Sequence, residues 1–581
     1  MRPIKNSKAR SQPSAKGPKA VAAAIKAQSQ QIKALQLLKS GVEALAAKDY
    51  LAATLQIKQA IALDKTNAAA WRMLAISYEN QNELVKALMA YEAASRLSPG
   101  DIDLLRNVGN LAQRIGQPKI ARALFERFLD TTPGHVEVTN LLACILRDQH
   151  LYGDATELLR DLINKDPEQP LLWNSLGSIL EFSGDVAGAI VFYDEAIRLD
   201  PRYHKARQNR AYCLMLLNEN EQAIAELEIA IKDTTDPKQV AAIRLVKALN
   251  EFIVGDLVNG MISYEARLDG VTPNIRFEAF GDRWQVEDDL QGKTLLVYAE
   301  QGLGDEVLFA STLNETLEAL GPDGRMILAC EPRLVSLFQR SFPRAEVLPY
   351  ISRRDIDTHF KTVDLGEPVP PIDLWVPLVS LFQRFRRRLD DFPKTNTFLV
   401  PDPDRVAYWR DQLKASGEGP YVGLLWKSIN LAGGRLRHYS PFELWGPILE
   451  KPNVRFVNLQ YGEVDEELAA AKAQGFDIWT PPGIDLKMDI EDLAALCAAM
   501  DVVIGPSTAT TNIAAAVGTR VWISAGPGWW TSFGTDYAPC YPTVRVFRTE
   551  RFNNWEVVTK AMAAAIDEEL LAERTLEPVA S

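Results

Sequence analysis

Residues 167–201 read PEQPLLWNSLGSILEFSGDVAGAIVFYDEAIRLDP, and this stretch decides the fold of the first half of the chain. It begins and ends on a proline, at Pro167 and Pro201, and prolines also stand at Pro99 and Pro133. Each of these four prolines lies 34 residues from the next. A fixed period of this length predicts a helix pair that is repeated and stacked on its neighbours.

Two series of small residues keep the same period, one in each helix of the repeat. The first series is Gly41, Ala75, Gly109, Ala143, Gly177 and Ala211, and the second is Ala53, Ala87, Ala121, Ala155, Ala189 and Ala223. A missing side chain lets paired helices approach closely. The pattern is the signature of the tetratricopeptide repeat. We predict six repeats and a capping helix pair within residues 34–270.

Stacked repeats form a superhelix whose extended concave face suits a peptide or another protein. Asparagines recur in the first helices at Asn107, Asn140, Asn174 and Asn209, separated by 33 to 35 residues. One interpretation is an asparagine ladder that binds the backbone of a protein acceptor. The other is ordinary polar helix surface, and the sequence favours neither.

After about Gly270 the chain alternates short β-rich runs with helical stretches. These runs are TLLVYAE, RMILAC, YVGLLW, VRFVNLQ, DVVIG and TRVWISA. The alternation predicts parallel α/β sheets flanked by helices. We expect two Rossmann-like lobes, 271–400 and 401–581, with a cleft at the carboxyl ends of their strands. Four arginines near the link, at positions 384, 386, 387 and 388, are predicted to form a solvated helix face.

The loop AEQGLGDE, residues 299–306, joins the strand TLLVY to a helical run. Gly302 and Gly304 allow a tight turn and a close approach to a ligand, and Asp305 enters the start of the helix. No GK[ST] follows, and the third glycine of the dinucleotide fingerprint is missing, which disfavours NTPases and dehydrogenases. Asp305 is either a general base for a hydroxyl nucleophile or a helix-capping carboxylate.

Several blocks carry a resemblance to a known family. They are GDLVNGMISYEARLD, WQVEDDLQGKTLLVYAEQGLGDEVLFAS, VGLLWKS, VRFVNLQYG and DLAALCAAMDVVIGPSTATTNIAAAVGTRVW. The chain resembles bacterial proteins in which tetratricopeptide repeats precede a heptosyltransferase-like glycosyltransferase domain of the two-Rossmann-lobe, GT-B type. The resemblance covers nearly the whole chain and places the catalytic base at Asp305. The first lobe would then face the acceptor and the second would hold a nucleotide sugar.

The predicted donor-binding residues are spread over both lobes. They are Gly302, Gly304, Lys427, Arg435, Arg437, His438, Gln460, Ser507, Thr508, Thr511 and Asn512. The hydroxyls and free N–H groups of 507–512 lie at a helix start, which suits a phosphate, and arginines suit phosphate or carboxylate. Helix capping and solvated loop arginines are the competing interpretations.

This loop departs from the family pattern. Many relatives carry Asp-Thr and then His, whereas this chain has Ser507, Thr508 and Asn512. The missing acid and imidazole put donor identity or catalysis in doubt. Because a loop without a carboxylate repels anions less, it would suit a donor sugar with its own carboxylate, such as a nonulosonic acid.

Composition narrows the remaining function classes. Of 581 residues 47% are hydrophobic, and 76 acidic against 64 basic side chains give a formal net charge of −12. The acidic balance disfavours a nucleic-acid binder, and no apolar run approaches the ~20 residues of a membrane span. The cysteines form no CxxC pair and no HExxH exists, so neither a metal nor another cofactor is expected. A cytoplasmic protein is predicted, with a basic, largely disordered arm at residues 1–33.

The function predicted from these features is transfer of a sugar from a nucleotide sugar to Ser or Thr of a protein held by the repeats. The resemblance favours flagellin as that protein. Two alternatives stay open. One is an interaction scaffold with a degenerate transferase domain, and the other is a transferase that acts on lipopolysaccharide or another glycan.

Overall fold

The computed structural model of the chain describes residues 18–269, 274–278, 280–354, 358–395, 397–429, 435–552 and 554–572. Half of the predicted basic arm, residues 1–17, lies outside them. The rest of the arm belongs to a helix that begins at Pro18. The chain divides into two compact units, one ending at Leu146 and one beginning at Arg147. This boundary lies inside the predicted repeat domain and not at its end.

Helices alone build the first half of the described chain. They are α1 (Pro18–Ala46), α2 (Tyr50–Leu63), α3 (Ala68–Asn80), α4 (Leu84–Leu97), α5 (Ile102–Arg114), α6 (Pro118–Thr131), α7 (Val136–Asp148), α8 (Tyr152–Lys165), α9 (Pro170–Ser183), α10 (Val186–Leu199), α11 (His204–Leu216), α12 (Asn220–Asp233), α13 (Pro237–Ile253) and α14 (Leu257–Tyr264). Neighbours pack as pairs: α1 with α2, α3 with α4 and α5 with α6 in the first unit, and α9 with α10, α11 with α12 and α13 with α14 in the second.

The periodic small residues explain this pairing. A Cβ atom added to Gly177 would lie 2.8 Å from Cε1 of Tyr193, which follows it by 16 residues in the partner helix. Gly41 has the same relation to Ile57, and a Cβ there would lie 2.5 Å from the isoleucine Cγ1. The aromatic or aliphatic side chain of the second helix therefore fills the space that the glycine of the first helix leaves open.

Two sheets follow the repeats. The strands are β1 (Asn274–Phe277), β2 (Asp282–Arg283), β3 (Thr294–Tyr298), β4 (Arg325–Cys330), β5 (Ala345–Arg354), β6 (Thr358–Val363), β7 (Leu374–Pro377), β8 (Tyr421–Leu424), β9 (Arg455–Asn458), β10 (Ile478–Trp479), β11 (Val502–Pro506), β12 (Val521–Ala525) and β13 (Arg545–Arg548). The first sheet has the order β1-β6-β5-β4-β3-β7-β2, and its pairs are parallel except β5 with β6. The second has the order β10-β9-β8-β11-β12-β13 and is parallel throughout.

Helices connect the strands of both sheets. They are α15 (Leu303–Phe309), α16 (Leu313–Leu320), α17 (Val335–Ser341), α18 (Phe382–Phe385), α19 (Pro403–Ser416), α20 (Gly446–Leu449), α21 (Asp465–Ala473), α22 (Ile490–Ala498), α23 (Ala509–Ala516) and α24 (Trp555–Ala565). The central strands are apolar and buried throughout, as in β3 and β11, because helices cover both faces of such sheets.

The last repeat helices pack directly on the α/β region, and both belong to the second unit. The ring of Phe252 in α13 lies 5.6 Å from that of Trp530 and 5.5 Å from that of Phe533. The guanidinium of Arg267, which follows α14, is buried and lies 2.8 Å from the carboxylate of Glu300, which follows β3. The capping helix pair thus makes an apolar junction with the segment after β12 of the second sheet and an ionic junction with the segment after β3 of the first.

One arginine corrects the sequence analysis. Arg386, which directly follows α18, is only 1% exposed, donates a hydrogen bond of 2.8 Å to the carbonyl of Ser311 and pairs with Glu315 at 2.8 Å. The prediction that the arginines at 384–388 form a solvated face is therefore wrong for Arg386. In the part of the chain that the structure describes, no helix combines the length and the apolar character needed to cross a bilayer.

Candidate functional site

The predicted loop after β3 builds one wall of a cavity. Gly302 is the N-cap residue of α15, and Asp305 is the third residue of that helix. The Asp305 carboxylate accepts a hydrogen bond from the N–H of Gly302 and lines a cavity of about 440 Å³, called here the Asp305 cavity. Burial raises the pKa of Asp305 to about 6, although the Gly302 N–H and the charge of Arg435 lower it. A carboxylate with this pKa is ionised at pH 7 and is a competent proton acceptor.

The opposite wall comes from the loop between β11 and α23. Ser507 and Thr508 line the cavity, and the Thr508 N–H donates to the hydroxyl of Thr511 at 2.8 Å. The side-chain amide of Asn512 donates to the Gly304 carbonyl at 3.0 Å, so this predicted donor residue joins the two loops. A Cβ on Gly304 would lie 3.0 Å from the backbone nitrogen of Ala509. Glycine at this position therefore permits the close approach of α15 and α23.

The repeats supply a third wall. Tyr212 and Met215 of α11 and Leu249 of α13 line the Asp305 cavity. Asn209 lies three residues before Tyr212 on the same helix, and its side-chain amide donates to the Asn174 carbonyl oxygen at 2.9 Å. Residues three apart share a helix face. Asn209, which pairs with Asn174 of α9, and the cavity-lining Tyr212 therefore lie along one face of α11.

The other two predicted ladder residues belong to the first unit. Asn140 is 8% exposed, and its side-chain carbonyl oxygen is buried without a hydrogen-bond partner. Asn107 is half-buried. The hydrogen bond between Asn174 and Asn209 follows the predicted register, and a peptide-binding role for the four residues stays a prediction.

A second, smaller cavity adjoins the first. It measures about 270 Å³, shares Gly304, Ser507 and Thr508 with the Asp305 cavity, and is called here the Arg333 cavity. Tyr439, Tyr461, Arg333 and Lys487 line its remaining walls. It brings two aromatic rings and two basic side chains to the start of α23, and Arg333 is paired there with the Glu331 carboxylate at 2.8 Å. Aromatic rings suit a base and basic side chains suit phosphates. Sequence reasoning did not select these four residues, although Tyr461 stands in the block VRFVNLQYG.

The basic side chains of residues 435–438, before α20, lie in different environments. His438 lines the Asp305 cavity, and burial together with Arg437 and Arg435 lowers its pKa to about 4, so its ring is neutral at pH 7. Arg435 is exposed. Arg437 instead contacts the repeats, where its guanidinium lies 2.9 Å from the Glu181 carboxylate and packs near the Phe182 ring. The charge of this predicted donor residue is thus matched by Glu181.

Two further predicted donor residues, Lys427 and Gln460, line neither of these cavities. The Gln460 carbonyl oxygen accepts from the N–H groups of Trp426 and Lys427 at 2.8 and 2.9 Å, and its amide donates to the Lys427 carbonyl. The Lys427 ammonium pairs with Glu467 beside an acidic cavity of about 840 Å³. Gln460 therefore fixes the loop after β8, and donor binding by either side chain stays a prediction.

Sequence reasoning missed the buried acid next to Asp305. The Glu306 carboxylate accepts hydrogen bonds from the Glu331 N–H at 2.9 Å and the Tyr350 hydroxyl at 3.0 Å, and lies 3.7 Å from the Lys361 ammonium. Burial raises the pKa of Glu306 to about 7 against the opposing charge of Lys361. The same ammonium donates to the Ala299 carbonyl at 2.8 Å. This network holds both ends of the loop that carries Asp305.

No group of three or more His, Cys, Asp or Glu side chains within the described ranges could hold a metal ion.

Comparisons with known proteins confirm the repeats. Models of the tetratricopeptide repeat match residues 38–102, 109–170, 140–204 and 183–245. Protein FlbA of Caulobacter vibrioides (strain ATCC 19089 / CIP 103742 / CB 15) is 42% identical over 531 residues, which cover 91% of this chain and 89% of FlbA. Human Protein O-mannosyl-transferase TMTC1 is 28% identical over 172 residues, covering 23% of this chain and 20% of that protein. A tetratricopeptide repeat protein from Parabacteroides merdae ATCC 43184 aligns with a TM-score of 0.36 and 17% identity, covering 41% of this chain and 93% of that one.

Proposed function

The chain belongs to the FlbA family, and we propose that it is a glycosyltransferase that moves a sugar from a nucleotide sugar to a Ser or Thr hydroxyl of a protein held by its repeats. One observation carries the proposal. Asp305 lies in a cavity whose walls come from both sheets and from the repeat helices α11 and α13. A partly buried base thus faces a space that a protein segment on the repeats and a ligand at the start of α23 can reach together.

In the proposed reaction Asp305 accepts the proton of the Ser or Thr hydroxyl. The hydroxyl oxygen forms a bond to the anomeric carbon of the sugar, and the bond from that carbon to the nucleotide phosphate oxygen breaks. The electron pair leaves on the phosphate, which is stabilised by the N–H groups at the start of α23 and by Arg333 and Lys487 of the adjoining cavity. A base with a pKa of about 6 accepts this proton at neutral pH without a metal ion.

The repeats would raise the local concentration of the acceptor at this cavity. Flagellin is the acceptor that we propose, on the resemblance to bacterial proteins with the same order of repeats and transferase lobes. A nonulosonic acid linked to CMP is the donor that we propose, because the loop 507–512 carries no carboxylate. The name of TMTC1, a protein O-mannosyl-transferase, adds limited support, since the match covers 23% of this chain. The reaction would take place in the cytoplasm.

The alternative from another class is an interaction scaffold with an inert transferase region. Asn512 favours it, because its amide is engaged by the Gly304 carbonyl and it cannot supply the charge of an imidazole. A transferase acting on lipopolysaccharide or another glycan is a third candidate, in which the repeats would recruit partners only.

Intact-mass spectrometry of the acceptor separates these functions. The full chain is incubated with flagellin and a panel of nucleotide sugars that includes a CMP-linked nonulosonic acid. The proposal expects a sugar-sized mass increment with the wild-type chain and none with Asp305→Asn. Asp236→Asn is the matched control, because Asp236 caps α13 from an exposed position outside the cavity and should leave the increment unchanged. Acceptor binding without modification by any donor would support the scaffold.

The acceptor role of the asparagines needs a separate test. Asn140→Ala and Asn174→Ala together should weaken pull-down of the acceptor while leaving the helical circular dichroism unchanged. Unchanged binding would reject the groove assignment without affecting the assignment of Asp305.

A further inference from the structure

Several buried polar atoms that have no hydrogen-bond partner lie together at the Asp305 cavity. The hydroxyls of Thr508 and Ser524 and the indole N–H of Trp529 are each buried and make no hydrogen bond within the described protein. All three residues line the cavity, and Ser524 is only 4% exposed. More than nine in ten buried polar groups of folded proteins are paired, and each exception calls for an explanation. Three exceptions around one cavity indicate that a polar ligand completes them.

The positions of these atoms are fixed by regular structure. Ser524 is the penultimate residue of β12, and Thr508 is the N-cap residue of α23, where its N–H donates to the Thr511 hydroxyl at 2.8 Å. The Arg548 guanidinium lies 4.9 Å from the centre of the Trp529 ring, and this cation–π contact helps to fix the indole. The unpaired atoms are therefore held in place by regular structure and packing.

The charge of the cavity limits what this ligand can be. Among the described residues that line the Asp305 cavity there is no Lys or Arg side chain. Its ionisable lining groups are Asp305 and His438, beside tyrosines, and the low pKa of His438 leaves its ring neutral. A carboxylate or phosphate here would meet the Asp305 charge, with the nearby Arg435 as a cation that does not itself line the cavity. The cations Arg333 and Lys487 line the adjoining cavity instead.

We propose that Thr508, Ser524 and Trp529 form the sugar-recognition subsite of this transferase, an inference that rests on the proposed function. They bind hydroxyl or carbonyl oxygens on an uncharged part of the transferred glycosyl group. The indole N–H requires an acceptor oxygen, and either hydroxyl donates or accepts. The charged parts of the donor, its phosphate and any carboxylate, lie toward Arg333 and Lys487.

Binding measurements on the full chain test this assignment. The probes are a CMP-linked nonulosonic acid and CMP alone, and UDP-N-acetylglucosamine and UDP alone. The variants are Ser524→Ala and Thr508→Val, which remove a hydroxyl with little change of shape, and Trp529→Phe, which removes the indole N–H together with part of the ring. Each variant should weaken the nucleotide sugar that the wild-type chain binds by about five-fold, the value of one hydrogen bond, and leave the affinity for the free nucleotide unchanged.

Thermal unfolding of the ligand-free variants supplies the control. Because the Ser524 and Thr508 hydroxyls are unpaired without ligand, Ser524→Ala and Thr508→Val should leave the melting temperature unchanged or raise it, and this readout is applied to these two variants only. Thr519→Val is the matched control, since the buried Thr519 hydroxyl donates to the Cys497 carbonyl at 2.8 Å outside the cavity. It should lower the melting temperature and leave sugar binding intact.

The outcomes separate the two proposals. If the wild-type chain transfers a sugar but the three variants bind the nucleotide sugar as tightly as the wild type, the subsite is overturned and the transferase stands. Equal weakening of nucleotide sugar and free nucleotide, or a loss of ligand-free stability like that of Thr519→Val, also overturns the subsite. A wild-type chain that binds no nucleotide sugar of the panel rejects both.

Discussion

Asp305→Asn should inactivate the protein and make it more stable. Burial moves the pKa of this carboxyl from 3.8 to about 6, and each pKa unit corresponds to about 1.36 kcal/mol between the two protonation states. The folded protein at pH 7 therefore bears a cost of about 3 kcal/mol for holding the charge of Asp305. The amide of Asn carries no charge and still accepts the hydrogen bond from Gly302, so the substitution removes this cost and keeps the helix cap.

The pH dependence of the stability gain follows from the direction of the pKa shift. Between pH 3.8 and about 6 the folded chain holds a proton on Asp305 that the unfolded chain has lost. Stability of the wild type therefore falls as the pH rises through this window, and the charge cost is complete above it. Asp305→Asn should show its full gain at pH 7.5, a smaller gain at pH 5, and none below pH 3.8.

Differential scanning calorimetry measures this gain without an assumption about substrate. For a unit of the size that begins at Arg147, a gain of about 3 kcal/mol corresponds to a rise of about 3 °C in melting temperature. The control Asp236→Asn should change the melting temperature by less than about 0.5 °C, because Asn caps a helix as well as Asp. A lower melting temperature for Asp305→Asn, or a gain that is the same at pH 5 and pH 7.5, would refute the buried ionised carboxylate on which the proposed base depends.

Three further predictions concern the same region. Sugar transfer should fall about ten-fold per pH unit below pH 6, because Asp305 is then protonated, and initial rates of acceptor modification measure this. Arg437→Leu should lower the free energy of unfolding by about 3–5 kcal/mol, because the Glu181 carboxylate then stays buried without its cation; the Glu181 side chain is only 7% exposed. Adding Glu181→Leu to the same chain should restore part of the urea midpoint, which urea unfolding measures. Gly304→Ala should cost about 1–3 kcal/mol and reduce transfer, since the new Cβ would lie 3.0 Å from the Ala509 nitrogen, and thermal unfolding with the mass assay reports both effects.

The repeats could be predicted from the sequence because their contacts are local. The pair Gly177 and Tyr193 is separated by 16 residues, and the same pairing recurs with the period of the prolines. The position of Asp305 could be predicted for a similar reason. A β-rich run, two glycines and a helical run lie within about twenty residues of one another, and together they define a strand, a turn and a helix start.

The connections between distant parts of the chain could not be predicted. Arg437 and Glu181 are separated by 256 residues, and an arginine in a glycine-rich loop resembles a phosphate ligand until its partner is seen. Asn512 and Gly304 are separated by 208 residues. Ser524 has no sequence signal at all, because a serine at the end of a buried strand becomes notable only when its hydroxyl is found without a partner. Local sequence patterns therefore predicted the strand, the turn and the helix start at the site. Contacts between residues far apart in the sequence decided which side chains pair with one another and which face the cavity.

The difference between polar groups that pair with one another and polar groups that face the cavity bears on the choice between an enzyme and a scaffold. On the wall of the Asp305 cavity the Asn512 amide is paired with the Gly304 carbonyl, whereas the Ser524 hydroxyl and the Trp529 indole N–H are unpaired. An inert region has no reason to bury these atoms and an ionised Asp305 together, since their replacement by apolar or neutral groups would stabilise the fold. Some polar groups on the cavity wall lack hydrogen-bond partners, while the polar groups that support the wall are hydrogen-bonded. This combination is typical of a cavity that a ligand completes. The arrangement therefore favours a ligand-binding cavity over an inert region, and the stability gain expected of Asp305→Asn measures the cost of the ionised carboxylate directly.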